Sequence, residues 1–89
     1  MMQIKLVKFG DLLTSRQDGR EALAAIRPEL NALGASDKIE IDFMGVKTFT
    51  PSWGDEFITK IIKEYNKNVT LVNTENASVQ ATLDILEIQ

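Results

Sequence analysis

Along this chain, alternation of apolar and polar positions gives way repeatedly to a helical period. The clearest example is the stretch from Lys38 to Glu64, KIEIDFMGVKTFTPSWGDEFITKIIKE. Ile39, Ile41 and Phe43 alternate with Glu40 and Asp42, the period of a strand. Gly45 breaks that run and can take a positive φ at no steric cost. Thr50-Pro51 then reads as a helix start. Proline at the first helical position loses nothing, because its missing N–H would have had no partner there, and it holds Thr50 in the extended geometry of an N-cap. A helix is predicted over Pro51 to Tyr65, with Trp53, Phe57, Ile58, Ile61, Ile62 and Tyr65 as its apolar stripe. Glu56, Lys60 and Glu64 line its other side, Glu56 and Lys60 in the favourable order.

The flanking segments repeat the pattern. Gln3 to Phe9 reads as a first strand. Ile4 and Leu6 lie on one face, Val7 and Phe9 on the other, which suits a central strand covered on both sides. Thr14 with Gln17 and Ser15 with Asp18 form two overlapping capping boxes. A first helix follows, its stripe made by Leu23, Ile26, Leu30 and Leu33. Pro28 lies inside that pattern and predicts a kink or break near Arg27, with a short second segment ending at Gly34. After the second helix, Asn66-Lys67-Asn68 is a turn, Val69 to Val72 a third strand, and Asn76 the N-cap of a third helix with stripe Val79, Leu83 and Leu86. The order β-α-β-α-β-α implies an α/β domain with a mainly parallel sheet and right-handed crossovers. The first strand is expected at its centre, flanked by the other two.

Composition narrows the function. Eighty-nine residues, 44% of them hydrophobic, make one small domain with one core. A net charge of −3 argues against nucleic acid and anionic membranes as partners, since both call for clustered Lys and Arg. The absence of cysteine leaves no disulfide framework and no thiolate. The absence of histidine removes the commonest general base and zinc ligand. Asp55 and Glu56 are neighbours on a helix, about 100° apart, and do not form a catalytic pair. Asp37, Glu40 and Asp42 read as edge caps and solvated edge positions rather than as a metal site. The expectation is a protein that is not an enzyme and needs no cofactor or metal. No apolar run approaches a membrane span, and MMQIKLVKFG has no signal-peptide core, so the chain is expected in the cytoplasm.

What remains is the mouth of the second helix. Thr50 is read as its cap. Ser52 is a hydroxyl at a positive helix terminus, where a phosphate would be favoured, and Trp53 stands at the rim of the stripe as a half-exposed anchor for a partner. Gly54 either leaves backbone accessible in the first turn or relieves packing against the sheet.

The segment IDFMGVKTFTPSWGDEF, Ile41 to Phe57, resembles the signature of STAS domains, the anti-sigma-factor antagonists and their relatives. These carry Asp-Leu-x-x-Val at a strand end and Asp-Ser-Ser-Gly at a helix start. The segment is closer still to a small STAS-like family of uncharacterised function with a DFxGV…PSFxDEF motif. ENASVQATLDIL, Glu75 to Leu86, is similar to the last helix region of antagonists. The resemblance implies a regulatory, non-catalytic protein-interaction module of bacteria that binds a kinase-like ATPase or an anti-sigma factor. The antagonists' Asp falls on Thr50, their phosphorylated Ser on Pro51 and the next Ser on Ser52, so the phosphoacceptor itself is missing and Ser52 and Thr50 are the hydroxyls left for phosphorylation. The partner surface is expected at Phe49, Thr50, Ser52, Trp53, Asp55 and Glu56. A domain binding a nucleotide or another small molecule at the same edge of the sheet is the alternative.

Overall fold

The computed structural model describes residues 1–88. In chain order the elements are β1 (Met2–Lys5), β2 (Leu12–Leu13), α1 (Arg16–Asn31), β3 (Ile39–Asp42), β4 (Thr48–Phe49), α2 (Pro51–Tyr65), β5 (Val69–Val72) and α3 (Ala77–Ile85). Single 3-10 turns occupy Leu6–Phe9 and Asn66–Asn68. Among the described residues, β1, β3 and β5 form a parallel sheet in that order, and β2 pairs in parallel with β4. This is the expected small α/β fold.

The central strand is β3, not the first strand. Met2, Ile4, Ile39, Ile41, Val69 and Leu71 share one face through the register and join the core with Leu23, Phe57, Ile58 and Ile61 of the helices. The opposite face carries Gln3, Lys5, Glu40 and Thr70, all at least partly exposed, and Gln3 donates to Glu40 across it at 2.6 Å. A sheet buried on one face needs both crossover helices on that face. Right-handed crossovers achieve this only by stepping in one direction, β1 to β3 to β5. A central first strand would have required steps in opposite directions and helices on both faces. The apolar residues that pointed to a doubly covered first strand, Val7 and Phe9, lie beyond it in the 3-10 turn. As expected, β3 runs parallel to β1 with Ile39, Ile41 and Phe43 buried.

The first helix is not broken at Arg27. It runs through Pro28 and ends one turn later, at Asn31. The proline lies close enough to the C-terminus that its missing N–H orphans only the carbonyl of Ala24, an exposed residue. Beyond it Leu30 is buried, its carbonyl accepts from the Tyr65 hydroxyl at 3.0 Å, and Arg27 bonds Glu64 at 2.6 Å. Packing against α2 therefore outweighs the local preference of proline. Of the two capping boxes, Ser15 supplies the cap and accepts from Asp18 N–H at 3.0 Å.

Candidate functional site

Each strand of the parallel sheets hands over, at its carboxyl end, to a segment at one end of the molecule. β3 leads into Phe43–Val46, closed by Val46 N–H donating to the Phe43 carbonyl, with Gly45 at φ 87°. Asp42 organises the turn. Its carboxylate accepts from Met44 N–H at 2.9 Å and from the Asn73 amide at 2.8 Å, tying the ends of β3 and β5 together. The Asn73 bond, then the Met44 N–H, hold the Asp42 carboxyl below its ordinary pKa, outweighing its partial burial. Met44 at the tip is 64% exposed, and Val7 packs beside Gly45, its methyl near where a Cβ would stand.

β4 leads into the mouth of α2. Thr50 has the extended backbone of an N-cap, but its hydroxyl turns away from the helix. It donates to the Thr14 carbonyl at 2.7 Å, while Thr50 N–H donates to the Leu13 carbonyl at 3.0 Å. The residue read as a cap is therefore a staple between β2 and the helix entry. Ser52 is half-buried in the first turn, and its hydroxyl has no hydrogen-bond partner among the described residues.

Trp53 is not a half-exposed anchor. It is 1% exposed and stacks on Phe57 with ring centroids 4.7 Å apart. Phe9 and Phe49 close around it at 6.2 and 6.1 Å. The cause is the 3-10 turn after β1, which folds Phe9 over the ring, whereas a strand continuing to Phe9 would have left the rim open. Phe49 is also buried, meeting Phe43 edge-on at 5.2 Å. Gly54 serves packing: a Cβ there would lie 2.8 Å from the Phe49 ring and 2.9 Å from Leu86.

Asp55 and Glu56 are held by α1. Arg16 reaches Glu56 at 2.5 Å and Asp55 at 3.3 Å, Lys60 reaches Glu56 at 2.7 Å, and Arg20 stands 3.9 Å away. Lys60 and Arg16 lower the Glu56 pKa, and Glu56 with Asp55 raises that of Arg16. Of the six predicted surface residues, Ser52, Asp55 and Glu56 thus present polar side chains at or near the surface, Thr50 is engaged internally, and Phe49 and Trp53 lie in the core.

Sequence reasoning missed the polar staples from α3. Asn76 caps α3 through Ser78 and Val79 N–H, as expected, but its amide also donates back to the carbonyls of Val46 and Lys47, which was not foreseen. Ser78 accepts from Phe49 N–H at 3.0 Å, and Thr82 donates to the Phe49 carbonyl at 2.5 Å. Two hydroxyls four residues apart thus do for β4 what a neighbouring strand would do. Their shared helix face with Val79 and Leu83 was the available signal.

Residues 18–79, well over half of the chain, match the family model described as a STAS-like domain of unknown function (DUF4325). The chain belongs to this STAS-like family. The match spans β3, the Asp42–Val46 turn, α2 with its mouth, and β5, so Met44, Thr50, Ser52, Asp55 and Glu56 fall within the STAS-like region, whereas Val7 and Phe9 precede it. No curated protein and no solved structure matches the chain. Among the described residues, no helix is long and apolar enough to cross a membrane.

Proposed function

We propose that this STAS-like domain is a non-catalytic protein-interaction module of bacterial regulation, acting in the cytoplasm on a kinase-like ATPase or an anti-sigma factor. Its contact surface is the carboxyl end of the sheets: Met44 with Val7, and Ser52 and Asp55 at the mouth of α2. The observation that carries this reading is Met44, a large apolar side chain left 64% exposed at the tip of a turn that Asp42, Asn73 and Gly45 hold in place. An exposed apolar group on a rigid support is a good anchor, because little order is lost when it is covered. The STAS-like family and the position of the surface at the strand ends agree with it. The absence of histidine and cysteine from the sequence leaves little acid–base or nucleophilic chemistry for an enzyme.

The test is affinity capture from the native host with wild-type, Met44→Glu and Ser52→Glu domains. A partner held by the wild type and weakened about tenfold or more by both variants supports the reading. Equal retention by all three, or a saturable nucleotide response with no protein captured, speaks against it.

A further inference from the structure

The two border strands of the main sheet protect their outer edges differently. β1 and the turn after it carry Lys5 and Lys8, side chains of the kind that discourage a further strand. β5 reads Val-Thr-Leu-Val, uncharged, without proline, and rich in residues that favour extended backbone.

The pairing with β3 fixes where the β5 main chain points. Phe43 N–H donates to the Val72 carbonyl, so the main-chain groups of Val72 and, two residues back, Thr70 face β3. Those of Val69 and Leu71 face away. Val69 N–H is taken by the Asn66 carbonyl. The N–H and C=O of Leu71 and the C=O of Val69 meet no strand among the described residues. At this edge lies a groove of about 400 Å³ between β5 and α3, lined on the helix side by Gln80, Leu83 and Asp84, with Ile88 beside them. A cleft between a bare strand edge and a helix is the geometry that takes an extended peptide by strand addition.

We infer that this groove takes an extended segment of another protein as an added strand against β5, its apolar side chains set against Leu83 and Ile88 and a basic side chain against Asp84. The charge of the occupant follows from the groove: its ionisable lining residue is the exposed Asp84, on a chain of net charge −3. A second copy of the chain carries the same negative balance, whereas a basic segment complements it. The inference stands on the β5 edge alone and does not rest on the surface at the mouth of α2.

The test titrates the full isotope-labelled chain with a synthetic octapeptide of alternating Val and Lys. The same peptide, N-methylated at alternate residues in either register, is the control, since methylation removes main-chain donors but keeps side chains and charge. Strand addition predicts saturable shift changes at Val69–Leu71 and Gln80–Asp84, and exchange of the Leu71 amide slowed about tenfold or more. It predicts about tenfold weaker binding for the methylated peptides and for Asp84→Lys, whose urea midpoint stays near that of the wild type because Asp84 is exposed. Equal binding of methylated and unmethylated peptides overturns the inference. So do shifts confined to other elements, no saturable binding up to about 1 mM, or pairing of the chain with itself through β5 in place of the peptide.

Discussion

A Cβ on Gly19 would stand 2.7 Å from the carbonyl oxygen of Trp53, so α1 and α2 approach each other at a point where only glycine fits. In an isolated helix Gly→Ala gains roughly 0.5–1 kcal/mol. Here the obstacle is backbone, which cannot swing aside. Gly19→Ala should therefore destabilise the domain by about 1–3 kcal/mol, the range for overpacking. Gly34→Ala is the control: its Cβ would meet only the Asp37 carboxylate, at 3.6 Å, and should leave the urea midpoint nearly unchanged.

The Trp53 ring itself lies in the core, and its truncation should behave accordingly. Trp53→Ala removes a ring stacked on Phe57 and enclosed by Phe9 and Phe49, and should cost about 3–5 kcal/mol. For a domain of this size that is a large share of the total stability. A urea midpoint little altered by Trp53→Ala would contradict the packing described.

These residues also show how far the fold was legible. β3 and α2 were readable because Ile39, Ile41 and Phe43 keep one period, and because Thr50-Pro51 announces a helix whose stripe then holds for fifteen residues. β2 and β4 are two residues each, too short to have a period, and depend on each other and on α3 for their hydrogen bonds. The order of the strands depends on which face is covered, yet Lys5 on β1 was a usable edge signal. At the candidate site, the hydroxyls and acids of the α2 mouth were found by position. The burial of Trp53 was not, because it depends on Phe9, distant in sequence and placed by a 3-10 turn.

Pro28 offers a test of packing against local preference. Pro28→Ala restores an N–H to the Ala24 carbonyl and removes the ring from the last turns of α1. Loss of the stiff residue also frees the unfolded chain, which offsets part of the gain. A net stabilisation of about 1–2 kcal/mol in urea melts is expected.

The Asp42 carboxylate should make stability depend on acid. Its folded pKa lies below the ordinary 3.8, chiefly through the Asn73 amide and then Met44 N–H. The contribution is fully present above the ordinary value and is lost as pH falls below it through the depressed folded value. Glu56 acts in the same direction from its ordinary 4.5, through Lys60 and Arg16, but these partners are half-exposed charges that salt screens, whereas the main partners of Asp42 are neutral. Asn73→Ala should weaken the acid dependence at both low and high salt, whereas Glu56→Gln should weaken it mainly at low salt.

The proposed function requires that a protein partner cover the surface at the carboxyl end of the sheets. It is tested most directly by placing a photo-crosslinking amino acid at position 44, at position 52, and at Ser36, an exposed residue in the loop entering β3 at the opposite end. Irradiation in the native host should yield the same protein adduct from positions 44 and 52 and none from position 36. Adducts that form equally from all three positions, or only from position 36, would contradict the account.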